Sequence, residues 1–256
     1  MAAMAEAGVF RLRAAVVGSV AFQSYSGMLG VRLPATLSRT GDLDVGQFQS
    51  IAFAVEDKID RDLESVLKTV DKRFESIPDT TDGRRTLRYA LRVDRDELFI
   101  VDILSPMRGP EQTRIGTLPA LRTDAQRLRY LDFLLYQEVN SVSLHGAGIP
   151  INVPDPTRYA LHKLIIAQLR RQSDQRSAAK SRKDIEQAGA LISILAHQRP
   201  GDLKDLWLEL CERGAGWRQK AVASLAMLPP EIVAALGDES VCRAAGPTAI
   251  MNGPGF

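Results

Sequence analysis

The chain has 256 residues, 45% apolar and 25% charged, which is ordinary globular usage and excludes a fibrous protein, wholesale disorder or a disulfide-stapled miniprotein. Its 33 Lys and Arg against 31 Asp and Glu leave a net charge of +2, so the total gives no support to a general coat for nucleic acid or anionic membrane. Cys211 and Cys242 lie far apart with no histidine at ligand spacing, which suggests neither a disulfide framework nor a zinc site and fits a cytoplasmic protein; no apolar run approaches the ~20 residues of a membrane span.

Taken in chain order, residues 14–17 read as a short buried strand interrupted by Gly18-Ser19. Phe22, Tyr25, Met28 and Leu29 then recur at helical spacing up to a stop at Gly30. Asp42-Leu43-Asp44 opens a strand after a polar turn, and Leu63, Val66, Leu67, Val70 and Phe74 share one face of a helix expected over residues 60–74. Alternation over 87–93, a turn at Asp94-Arg95-Asp96 and the apolar run 98–104 form the strongest hairpin signal in the chain. From Ser105-Pro106 through Gly109-Pro110 a long irregular passage is expected, then a short helix over 128–136 and two strands, 139–144 and 149–153, around Gly146-Ala147-Gly148.

After Pro156 the period becomes helical and stays so, over 159–171, 178–197, 203–212, 217–225 and 231–236. The fold class is therefore α+β: a mixed sheet with flanking helices over 1–155, a C-terminal helical half over 156–236, and a disordered tail over 237–256, rich in Ala, Gly and Pro.

Three constellations carry chemistry. In a strand, Asp42 and Asp44 project to one side about 6–7 Å apart while Leu43 faces the core. Two such carboxylates repel unless solvated or bridged, and magnesium, which takes a few carboxylates plus phosphates and water, is the natural bridge; the alternative is a plain polar turn. Asp102 lies in an otherwise apolar strand on the face of Leu98 and Ile100, costly there unless paired, metal-bound or turned to solvent at a sheet edge. Three carboxylates on adjacent strands are what two-metal phosphoryl or nucleotidyl transfer requires. Finally, from Arg158 to Lys183 the basic residues, Lys163 and Lys180 among them, face a single acidic one, Asp174. This stretch is either the wet face of helices or a wall for phosphates, Lys163 meeting a triphosphate and the distal cations a polyanionic acceptor. His162 reads as structural. Walker A, GxGxxG, HExxH and GxSxG motifs are absent, which removes the usual hydrolase, dehydrogenase and zinc-protease readings.

Val16-Val17-Gly18-Ser19, Gly41-Asp42-Leu43-Asp44 and Val101-Asp102-Ile103-Leu104 resemble, in that order, the signature of the nucleotidyltransferase superfamily with the DNA polymerase β-like fold. The blocks from Phe22 to Pro34, Leu144 to Pro150 and Val153 to Leu164 are similar to a bacterial branch of stand-alone nucleotidyltransferase-fold proteins, the likeness running over about residues 7–228. The resemblance implies that Gly18 and Ser19 contact the triphosphate, that Asp42 and Asp44 hold both Mg2+ (or Mn2+) ions, that Asp102 binds the catalytic metal and helps activate the acceptor hydroxyl, and that Lys163 lies near the phosphates. Arg158, Lys180 and Lys183 are candidate acceptor or phosphate contacts.

The expected partners are a nucleoside triphosphate and an acceptor, RNA, protein or a small molecule, with no membrane and an open oligomeric state. Two departures stand out: a long stretch between Ser19 and Asp42, and a start only a few residues ahead of the first strand, where a truncation would expose apolar surface or weaken the enzyme. A catalytically silent nucleotide-binding partner of a toxin-antitoxin or defence pair, and a metal-dependent nuclease, remain as alternatives.

Overall fold

The computed structural model describes residues 1–38, 41–54, 56–93, 96–107, 114–170 and 174–236. The expectations that fall on 94–95, 108–113, 171–173 and the tail at 237–256 lie outside the described residues. The chain divides into two compact units, Met1–Asp155 and Pro156–Phe256.

The first unit opens with α1 (Ala2–Glu6), β1 (Ala15–Val17), α2 (Gly18–Leu29), α3 (Ala35–Ser38), β2 (Asp42–Gly46), α4 (Gln49–Ala54) and α5 (Leu63–Lys68). It continues through β3 (Phe74–Pro78), β4 (Thr86–Val93), β5 (Asp96–Pro106), β6 (Ile115–Leu118), a 3-10 turn at Pro119–Leu121, β7 (Thr123–Leu128), α6 (Leu131–Leu135), β8 (Val139–Ser143) and β9 (Ile149–Val153). Among the described residues the sheet has the order β1-β2-β5-β4-β3, with β7 on the end of β5 and β6 on β7. It is mixed: β2 and β7 run parallel to β5, while β1, β4 and β3 pair antiparallel with their neighbours.

Period-two alternation decides which face of the sheet is core. Leu43 and Val45 of β2, Val101 and Ile103 of β5 and Tyr89 of β4 are all buried, whereas Asp42, Asp44 and Asp102, one residue out of phase, are half-buried on the other face. Helix α2 turns Ala21, Phe22 and Tyr25 inward, and Gly30, in the left-handed region at φ 63°, ends it with its N–H on Ser26 O. Ahead of β1, Met4, Val9, Phe10 and Leu12 are all buried.

Two expectations are corrected. The helix expected over 60–74 is only α5, capped by Asp62, whose carboxylate accepts the Ser65 N–H at 2.9 Å. Beyond Lys68 the weak helix formers Thr69 and Val70 give way to a turn in which Asp71 accepts both the N–H and the guanidinium of Arg73, and Phe74 starts β3 instead. The passage after Ser105-Pro106 holds the antiparallel pair β6 and β7, whose buried members are only Gly116, Leu118 and Ala125, too few for an alternation signal.

The second unit consists of α7 (Pro156–Leu169), α8 (Gln175–Gln198), α9 (Pro200–Glu212), α10 (Ala215–Leu225) and α11 (Pro230–Ala234). Its core gathers Tyr159, Leu161, Leu164, Ile165, Ile185, Leu191, Ile192, Leu203 and Trp207. Asp174 starts α8 by accepting the N–H groups of Arg176 and Ser177. Among the described residues no helix is long and apolar enough to cross a membrane.

Candidate active site

The backbone register sets one row of side chains across four adjacent strands. Val17 at the end of β1 pairs with Asp44 of β2, Asp44 pairs with Asp102 of β5, and Asp102 pairs with Arg88 of β4. Asp42 sits two residues from Asp44 on the same face, opposite Ile100. Register partners on neighbouring strands stand about 5 Å apart, so the carboxylates of Asp44 and Asp102 share one patch of surface. At an effective dielectric near 20 that proximity costs about 3 kcal/mol if both are ionised and nothing positive stands by.

One positive group does stand by. Arg88 donates from Nε to Asp102 Oδ1 at 2.6 Å and from Nη2 to Oδ2 at 2.9 Å, a fork that engages both oxygens. The Asp102 side chain is 18% exposed and that of Arg88 44%, so the pair sits at the solvent margin of the sheet. Among the described residues no group of three His, Cys, Asp or Glu side chains is gathered as a metal cage.

Where β1 ends, the chain turns directly into α2. Gly18 makes the turn at φ 64°, in the left-handed region that glycine occupies without penalty. It also lies against Asp44: a Cβ built on Gly18 would overlap Asp44 Oδ2. Gly18 and Ser19 are the first residues of this twelve-residue helix, whose N-terminal N–H groups and dipole favour an anion. A cavity of about 560 Å³ runs along the same helix, lined by Val20, Gln23, Ser24 and Gly27 with Ser141 and Ser143 of β8.

The donor set of Asp42, Asp44 and Asp102 consists of hard carboxylate oxygens on one face, the chemistry magnesium or manganese takes, and in that respect the residues fit such an ion.

The sequence-predicted cations belong to the second unit, where Lys163, Arg170 and Arg158 form internal ion pairs. Lys163 Nζ donates to Asp184 Oδ1 at 2.6 Å, and Arg170 Nε donates to Oδ2 of the same carboxylate at 2.6 Å. Burial acts to raise the Asp184 pKa, but Lys163 and Arg170 outweigh it and hold the group below the ordinary carboxylate value. Arg158, only 4% exposed, makes a forked pair with Glu209. Neither Arg158 nor Lys163 lies on a wet face. Lys180 is exposed and Lys183 half-buried. His162 is buried, its Nε2 lacks a hydrogen-bond partner, and burial together with Lys163 pushes its pKa down to about 3, so it is neutral at physiological pH.

Sequence reasoning missed Arg88 as a member of the site. The available signal was its alternation with Leu87 and Tyr89 in the strand that pairs with β5.

A family model described as nucleotidyltransferase matches residues 1–212. The chain belongs to the nucleotidyltransferase family. The matched span covers the whole first unit, with Gly18, Asp42, Asp44, Arg88 and Asp102, and continues through α9 of the second. Family membership implies a nucleotide substrate. Among solved structures, that of an antigenic nucleotidyltransferase-like protein from Paracoccidioides brasiliensis is similar at 15% identity over 87% of this chain and 83% of its own, with a TM-score of 0.39. No curated protein matches the chain.

Proposed function

We propose that the protein transfers a nucleoside monophosphate from a nucleoside triphosphate to a hydroxyl acceptor, releasing pyrophosphate, and that the face carrying Asp42, Asp44 and Asp102 is where it does so. The observation that carries this reading is the row Val17, Asp44, Asp102 across three strands, with Gly18 turning into α2 against Asp44. The backbone N–H groups at Gly18 and Ser19 receive the triphosphate at the helix N-terminus. Asp42, Asp44 and Asp102 are the residues that would hold Mg2+ or Mn2+, which would supply neutralisation of phosphate charge and activation of the attacking oxygen. The acceptor oxygen bonds to the α-phosphorus as the bond to the β-phosphate oxygen breaks, and the acceptor's proton passes to Asp102. Positioning and charge neutralisation supply most of the rate, since this chemistry asks little covalent help from the protein.

The cavity beside α2 begins one residue beyond Ser19, and Val20, Met28, Val142 and Leu144 line it together with its serines. Lys180 and Lys183 remain the candidate cations for a polyanionic acceptor. A lysate incubated with the protein, magnesium and each α-labelled triphosphate in turn, then separated into RNA, protein and small-molecule fractions, tests the reading. Label in one fraction supports transfer and names the acceptor class; no label in any fraction counts against it.

The fork of Arg88 on Asp102 favours one second reading, a protein that binds nucleotide without turning it over. Pyrophosphate release separates the two: binding with none supports the silent reading.

A further inference from the structure

Resting on the reading above, we propose that Arg88 is a nucleotide-binding residue held on Asp102, which it occupies in place of a divalent cation until the cation arrives and its guanidinium passes to the nucleotide's phosphates. Two observations lead there. The register sets Asp44, Asp102 and Arg88 side by side on β2, β5 and β4, so Arg88 faces the same surface as the carboxylates. Both oxygens of Asp102 accept from the Arg88 fork, which leaves that carboxylate neutralised by the protein itself.

The exchange is physically cheap for this pair. With 44% of its side chain exposed, Arg88 can swing on its long stem without leaving a charge in a dry interior, unlike Lys163, whose side chain is 10% exposed on an Asp184 that is 4% exposed. A guanidinium fork matches phosphate as well as carboxylate, so the group released from Asp102 finds an equivalent partner in the triphosphate. Arg88 therefore acts in opposite directions on the two ligands: it competes with the cation for Asp102 and assists the nucleotide. A purely structural role would weaken both or neither.

The test measures Mn2+ binding by electron paramagnetic resonance, without nucleotide, and binding of a non-reactive α,β-methylene triphosphate, on the full chain and on its Arg88→Ala, Arg88→Gln and Asp44→Ala variants. Removing Arg88 unmasks a carboxylate beside Asp44, so Mn2+ affinity is expected to rise about tenfold while analogue affinity falls by about the same factor. Arg88→Gln retains a polar side chain on the strand if the alanine variant loses the fold, and is expected to shift both affinities in the same senses. Unchanged or weaker Mn2+ binding in the Arg88 variants, with wild-type binding that Asp44→Ala abolishes, overturns the exchange and leaves the carboxylate site standing. Mn2+ binding that is absent, or indifferent to Asp44→Ala, overturns the site reading and the exchange with it.

Discussion

Gly18 and Asp44 are in such close approach that a single added methyl group on Gly18 would overlap Asp44 Oδ2. The relationship joins two parts of the candidate site: the turn that opens α2 and the carboxylate at the centre of the strand row.

Gly18→Ala is accordingly expected to damage transfer far more than folding. Alanine at φ 64° costs about 1–2 kcal/mol of stability, whereas displacing Asp44 by a fraction of an ångström to an ångström is expected to lower transfer by on the order of 100-fold. Urea unfolding and a pyrophosphate-release assay on the same sample check this. Full activity in a folded Gly18→Ala protein would show that the close approach does not matter.

Asp184 accepts from both Lys163 and Arg170, so removing Asp184 strands the buried Lys163, whereas removing Lys163 leaves Asp184 with Arg170. Asp184→Asn is expected to destabilise by roughly 3–5 kcal/mol and Lys163→Met by less, and the double variant Lys163→Met with Asp184→Leu to recover part of the Asp184→Asn loss. Urea midpoints of the three proteins give the answer. Single variants as stable as wild type would mean that the pair contributes nothing.

His162 gives a pH dependence whose sign is fixed. Its pKa is lowered to about 3 in the folded chain, against an ordinary value of 6.5, so between those values the unfolded state binds the proton and the folded state does not. Stability is full above about pH 6.5 and declines as the pH falls from there toward about 3. Asp184, whose pKa is depressed, adds a separate loss only below the ordinary carboxylate range. Replacing the imidazole with an uncharged ring, His162→Phe, is expected to flatten the profile between pH 6.5 and 4.5. Urea unfolding at a series of pH values checks it, and an unchanged slope in His162→Phe would assign the dependence to other groups.

Much of this fold was legible because its strands alternate cleanly. Leu43 and Val45 against Asp42 and Asp44 gave β2 and its two faces, and the long apolar run gave β5. The glycine-serine after β1 pointed to a turn into a helix, which Gly18 makes. Phe74 was misread because its spacing from Val70 happens to be helical, while the Asp71 turn between them is a matter of side-chain hydrogen bonds rather than of period. The pairing of Arg88 with Asp102 was hidden for a different reason. Val93 pairs with Asp96, and an unbroken register from there would set Arg88 opposite Val101; an irregularity between Leu91 and Arg92 moves it by one residue onto Asp102. Hydrophobic pattern does not encode such a shift. The engagement of Lys163 by Asp184 was out of reach as well, since it joins side chains 21 residues apart on two helices.

The most direct test of the central claim is metal-dependent transfer from α-labelled triphosphate by the full chain and by Asp42→Ala and Asp44→Ala, each first shown to be folded by circular dichroism. Both side chains sit on the half-buried face of β2, away from Leu43 and Val45, so the variants are expected to fold. Wild-type protein is expected to move label to its acceptor and release pyrophosphate, with both variants inactive. Full metal-dependent transfer by the two folded variants would contradict the assignment of the chemistry to this face of the sheet.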